Sequence, residues 1–308
     1  MAASFGRALT VGVEEELLLL DPETLAPAAG VERLLGPEGL KTELFSCFVE
    51  TNTPVCESVE EALAELVRLR RLVAERAGEI GLVVAASGSH PFADPREQPI
   101  VQEQRYLDMV AELGDVARGQ LVCGLHVHVG MASFEDCLRA LDGLRPWLAA
   151  VLELSANSPY LEGKETGELS SRFGRLHELP RSGAPPRFGT EAEWEAAVAA
   201  EGVEYTRIWW DARPHPRLGT LEVRVADQPT SLERAVALVA LVQALCAAHA
   251  EPGPDAVAAA EPAARELGTW ELLQPLREPP EALLQLEVGR RDGLRAVAAD
   301  VVRRSAAR

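Results

Sequence analysis

The sequence predicts an α+β fold built on a mainly antiparallel sheet. Three stretches carry that expectation. GLHVHVG, at 124–130, alternates Leu125, Val127 and Val129 with His126 and His128. TLEVRVAD, at 220–227, alternates Leu221, Val223 and Val225 with Glu222 and Arg224. VGVEEELLLL, at 11–20, sets Glu14 and Glu16 on one face and Glu15 on the other. Successive strand side chains point to opposite faces, so each stretch buries an apolar row and presents ionisable groups on one side. Strands and helices are mixed without a regular βαβ beat, which favours antiparallel pairing.

The elements follow in order. Residues 9–20 read as the first strand and 43–55 as the second. Ser58 and Glu61 form a capping box before a long helix whose stripe is Val59, Leu63, Leu66, Leu69 and Val73. A strand is expected over 82–87, a helix over 100–118 and the histidine strand over 120–129. Ser133 and Asp136 repeat the capping signal before a helix running toward Leu154. Prolines mark 180–186 as a surface loop. Strands over 207–213 and 219–226 precede a helix over 231–249. Beyond Ala250 the chain is rich in Ala, Pro and Glu and reads as a linker or loose helix. Helical spacing returns over 283–304, interrupted by Gly289 and Gly293. The division is therefore a main unit, 1–250, and a short C-terminal helical tail, 251–308. No internal repeat is found.

A chain of 308 residues can bury a large core. Its net charge of −18 argues against nucleic acid and anionic membrane as partners. An acidic protein that handles an anionic substrate needs local positive charge, from metal ions or placed arginines. The N-terminus MAASFGRALT reads as no secretory signal, and no apolar run suits a bilayer span. Five cysteines without CxxC spacing read as buried thiols in a reducing, cytoplasmic setting. Glycine phosphate loops, HExxH and GxSxG are absent from the sequence.

The candidate site residues each have two readings. His126 and His128 suit metal ligation, phosphate contact or hydrogen-bonded packing. Glu14 and Glu16 are either a solvated strand edge or cation ligands, since a carboxylate in a buried strand is costly unless paired. Glu15 faces away and is excluded. Glu222 and Arg224 are a structural ion pair or a functional one. Glu43 and Glu50, seven apart, fall on opposite faces of a regular strand unless a bulge intervenes. Arg172 is a solvated arginine or a clamp on a substrate carboxylate. His90, His177, His215 and His249 read as surface or capping residues.

VGVEEE, ETNTPVC, GSHPFAD, GLHVHVG, LRPWL, LSANSPY, WWDARPHPRLGTLEVRVAD and ALVQAL, in this order, resemble the type 2 glutamate–cysteine ligase family over 9–249. These are ATP-dependent carboxylate–amine ligases of the glutamine synthetase and glutamate–cysteine ligase superfamily. The resemblance implies an antiparallel sheet curved into a funnel, with helices outside. It implies that Glu14, Glu16, Glu43, Glu50, His126 and Glu222 hold Mg²⁺ or Mn²⁺. His128 and Arg224 would contact the nucleotide, Arg224 at the γ-phosphate, and Arg172 the substrate amino acid. The partners implied are ATP, glutamate and an amine, in a homodimer. The C-terminus departs from the family, lacking its Asn- and Arg-rich helical segment. The expected reaction forms a γ-glutamyl amide through an acyl phosphate, with cysteine or another amine as acceptor. Two rival readings stand beside it: a metal-dependent amidohydrolase, and a catalytically weak homologue that binds nucleotide or amino acid.

Overall fold

The computed structural model describes residues 4–248 and 255–277. Seven strands form one open sheet: β1 (Val11–Leu20), β2 (Leu40–Thr42), β3 (Phe48–Asn52), β4 (Val83–Ala85), β5 (Leu125–Gly130), β10 (Ala212–His215) and β11 (Thr220–Val223). Their order is β10-β11-β5-β1-β3-β2, with β4 pairing the far end of β1, and every pairing is antiparallel. Two small two-stranded sheets stand apart, β6 (Tyr160–Leu161) with β7 (Lys164–Glu165), and β8 (Ser182–Gly183) with β9 (Trp209–Trp210).

Nine helices are described: α1 (Val59–Glu79), α2 (Gln104–Leu113), α3 (Asp115–Arg118), α4 (Phe134–Leu144), α5 (Leu148–Ser155), α6 (Ser171–Leu176), α7 (Glu191–Ala200), α8 (Leu232–Ala248) and α9 (Ala256–Glu266). The capping signals act as read. Ser58 accepts from the Glu61 amide, Glu61 accepts from the Glu57 amide, and Ser133 accepts from the Asp136 amide. The helix expected over 100–118 breaks at Gly114, whose φ of 54° an L side chain rarely adopts. The helix expected toward Leu154 is α4, a 3₁₀ turn at Arg145–Trp147, and α5. The strand expected over 207–213 splits at Asp211, whose carboxylate is hydrogen-bonded to His177 Nε2 at 2.8 Å.

The larger apolar cluster lies on one side of the sheet, and a second gathers around the far end of β1, with Leu17, Leu18, Phe45 and Phe48. Val11, Val13, Leu125, Val127, Val129, Leu221 and Val223 form the floor of the larger one, and α1, α4 and α8 close over it. Glu15 enters this side too, fully buried. Arg70 of α1 meets its carboxylate through Nε and Nη2 at 2.6–3.2 Å, and Gln228 donates at 2.8 Å. Arg70 also donates to the carbonyls of Pro229 and Thr230, so one ion pair ties β1 to the chain after β11.

The change of composition at Ala250 does not mark an edge of the core. α9 and the 3₁₀ segment Trp270–Arg277 place Val257, Ala260, Ala264, Leu273 and Leu276 in the same apolar cluster as α8. The helical spacing expected over 283–304 lies outside the described residues, as does His249. All five cysteines are buried and unpaired. No described helix is long and apolar enough to cross a membrane.

Candidate active site

The opposite sheet face carries the ionisable groups, and the strand register sets them in rows. Glu14 stands opposite His126 on β5 and Asn52 on β3. Glu16 stands opposite Glu50. Glu222 stands opposite His128 on one side and Arg213 on the other. Directly paired side chains lie about 5 Å apart at Cβ, so these rows bring charged groups into contact.

Glu14, His126 and Glu222 form the first cluster, each offering one ligand atom within 4.8 Å of the others. His126 Nδ1 lies 3.2 Å from Glu14, and His128 Nε2 lies 3.7 Å from the same carboxylate. Burial raises the Glu14 pKa, but His126 and His128 outweigh it and hold the carboxyl well below the usual range. Glu222 is 1% exposed and pairs with two guanidinium groups. Arg213 grips it at 2.7 and 3.2 Å, and Arg224, two residues further along the extended chain, also donates to it. Burial again opposes ionisation, and the Arg213 and Arg224 charges again win. The imidazoles diverge. Burial and then the Arg224 charge push His126 down, toward the neutral form that ligates metals. Burial also opposes charge on His128, but its contacts with Glu14 prevail and raise it.

Glu16, Glu43 and Glu50 form the second cluster, again with ligand atoms within 4.8 Å. The expected parity conflict between Glu43 and Glu50 does not arise. Residues 43–55 are not one strand. The chain turns between β2 and β3, so the two glutamates come from opposite arms of a hairpin. Burial and the Glu16 charge push Glu43 up to about 7. Burial and the charges of Glu14 and Glu43 push Glu50 up to about 8, against the help of Lys41 at 3.5 Å.

A cavity opens beside this second cluster. Glu16, Glu43, His126 and Arg224 line it together with apolar residues such as Leu44, Phe48, Met109 and Trp209. Arg172 and Gln120 also line it. Arg172 is not a solvated arginine: it is 2% exposed and donates to the carbonyls of Val225 and Arg224 at 3.2 and 3.1 Å. Gly124 makes room for it, since a Cβ there would meet Arg172 Nη2 at 2.1 Å. The Gly124 amide donates to Glu16 at 2.6 Å, tying the glycine to the acidic cluster as well.

The donor set suits a hard divalent cation. Five of the six grouped ligands are carboxylates, which Mg²⁺ and Mn²⁺ favour. Nε2 of His126 and Nε2 of His128 are buried without a hydrogen-bond partner, a state that a ligand would relieve. The sequence reading missed Arg213. Its signal was the tight turn after ARPH, which makes β10 and β11 a hairpin and sets Arg213 beside Glu222. His215, read as a surface or capping residue, sits at the rim with its ring 5.6 Å from that of His128.

A model of glutamate–cysteine ligase family 2 matches residues 10–308. The chain belongs to this family. The match continues past residue 249, where the recognisable motifs end. Among family relatives, a Herpetosiphon aurantiacus protein named "Putative glutamate--cysteine ligase 2" is 38% identical over 247 residues, covering 77% of this chain and 64% of that protein. A Rubrobacter xylanophilus protein named "Putative glutamate--cysteine ligase 2-3" is 41% identical over 269 residues, covering 83% and 74%. The chain thus spans 64% of the length of the first of these relatives.

Two solved structures share the fold. A bifunctional glutathione synthetase from Pasteurella multocida superposes with a TM-score of 0.62 at 13% identity, over 96% of this chain and 50% of that one. A glutamate–cysteine ligase from Francisella tularensis in complex with AMP gives 0.59 at 13% identity, over 98% and 89%. The antiparallel sheet with helices on its core side, open rather than closed into a barrel, is the fold of these ligases.

Proposed function

We propose that this protein is an ATP-dependent carboxylate–amine ligase that joins L-glutamate to cysteine or another amine as a γ-glutamyl amide. The observation that supports this best is the pair of carboxylate clusters beside Arg224, next to a cavity that Arg224 and Arg172 both line. Membership in the family supports it independently. The catalytic unit proposed is residues 1–250, which carry every candidate side chain.

A carboxylate is a poor electrophile. Transfer of the γ-phosphoryl group to it breaks the bond to the β–γ bridging oxygen and releases ADP. The amine nitrogen then attacks the acyl carbon, phosphate leaves, and the nitrogen loses a proton. Glu14, His126 and Glu222 would hold one Mg²⁺ or Mn²⁺, and Glu16, Glu43 and Glu50 another. Bound metal would neutralise the triphosphate. Arg224 sits between the clusters, where its guanidinium can meet charge developing on the transferring phosphoryl group. Its present partner Glu222 keeps Arg213 when Arg224 turns to substrate. His128, whose Nε2 has no hydrogen-bond partner, is a candidate nucleotide contact, and Arg172 a candidate holder of the substrate carboxylate.

The test is purified protein with ATP, Mg²⁺ and L-glutamate against a panel of amines, read as ADP release and as ligated product by mass spectrometry. Acceptor-dependent ADP release with an amide product is the expected result. Zn²⁺-dependent hydrolysis without nucleotide would replace the reading with a hydrolase. ATP binding with no product from any amine would leave a binding homologue.

A further inference from the structure

We infer that Gln120 recognises the ammonium group of the carboxylate substrate, so that the cavity reads an α-amino acid as a zwitterion. The inference rests on the ligase reading for which substrate enters the cavity. Gln120 is 7% exposed and lines the cavity with Arg172. Its Nε2 donates to two main-chain carbonyls, Val116 at 3.2 Å and Arg175 at 2.7 Å. Two acceptors on that side fix the amide orientation, because a flipped amide would set oxygen against oxygen. Oε1 is therefore turned away from them, and it is buried with no hydrogen-bond partner. A buried acceptor in this state is costly and calls for a donor.

Arg172 is its complement. Two of its nitrogens donate to main-chain carbonyls, while Nε is buried and unpartnered. No carboxylate forms a salt bridge with it among the described residues. Arg172 stabilises the Asp227 carboxylate through space, without a salt bridge, and its unpartnered Nε calls for an acceptor. An unsatisfied acceptor and an unsatisfied guanidinium N–H on one cavity match the ammonium and carboxylate of an amino acid. The substrate's second carboxylate would then lie toward Arg224 and the clusters. An ammonium removed from the ligand would leave Oε1 unpaired, and a site built around a polar group discriminates strongly against the analogue lacking it.

The test compares L-glutamate with glutarate, which lacks only the ammonium, by calorimetry with Mg²⁺ and a non-hydrolysable ATP analogue present. The wild type should bind glutamate about tenfold to a hundredfold tighter, the range of one charge-assisted hydrogen bond. Gln120→Met should close that gap by weakening glutamate alone. Gln120→Asn, which keeps the amide but withdraws its oxygen, should narrow it and serves if the Met variant does not fold. Equal wild-type affinities, equal weakening of both ligands, or no measurable glutamate binding would overturn the inference. Turnover separates it from the ligase reading. Glutamate discrimination that depends on Gln120 in a protein that ligates nothing rejects the ligase alone. Ligation with unchanged discrimination in a folded Gln120 variant rejects the inference alone.

Discussion

Glu14 and Glu222 are held ionised by their neighbours, whereas Glu43 and Glu50, on the same sheet face, hold protons to about 7 and about 8. The carboxylates of both clusters are half-buried, apart from the fully buried Glu222, and desolvation opposes their charge equally in sign. The difference lies in the company. Two histidines and two arginines surround the first cluster, while Glu43 and Glu50 chiefly face each other and the remaining glutamates. The protein's own cations neutralise the first, and those near the second leave its pKa values raised. Glu15, one residue away on the other face, shows a third outcome: full burial with an arginine dedicated to it.

These contrasts give predictions in falling order of effect. Chelation should abolish ATP turnover altogether, with Mg²⁺ or Mn²⁺ restoring it, because Lys41, Arg105 and Arg224 do not offset burial and repulsion at Glu43 and Glu50. Full turnover in excess chelator would erase the difference between the clusters. Glu15→Ala should cost about 3–5 kcal/mol of stability in urea denaturation, since it strands the largely buried Arg70. A loss below about 1 kcal/mol would make this pair no more than a surface contact. Arg224→Ala should fold normally, because Glu222 retains Arg213. It should lower kcat about 100- to 1,000-fold, roughly 3–4 kcal/mol in the transition state. Wild-type kcat would remove Arg224 from the chemistry.

The smallest effect is on pH. On the proposed metal assignment, binding displaces the protons on Glu43 and Glu50, so Mg²⁺ affinity should rise as pH climbs through 7 and 8, by up to about tenfold per unit for each proton released. Stability without metal should run the other way in the same window. The unfolded carboxylates ionise near 4.5, while the folded ones keep their protons to about 7 and 8. The native state therefore binds more protons between those values, and stability falls as pH rises. Glu14 and Glu222 act oppositely: their pKa values are lowered, so their contribution is present above 4.5 and is lost in acid. Thermal melts from pH 5 to 9 with and without Mg²⁺ read both effects. A metal-induced shift that is constant with pH would show that Glu43 and Glu50 do not release protons on binding.

The sequence alone determined which side each strand residue takes. Alternation fixes that parity locally, and it placed Glu14 and Glu16 apart from Glu15, His126 and His128 together, and Glu222 with Arg224. The helix starts at Ser58 and Ser133 were legible for the same reason, since a cap bonds within three or four residues. The tertiary structure alone decided what those faces meet. Strand order brought β5 between β1 and β11, so that Glu14, His126 and Glu222 share one cluster from three distant segments. The hairpin turn between β2 and β3 reconciled Glu43 with Glu50, which strand parity had separated. The burial of Arg172 against Gly124, the grip of Arg213 on Glu222 and the unpaired oxygen of Gln120 depend on contacts between segments far apart in sequence. Such contacts are set by packing across the whole core, which no local pattern encodes.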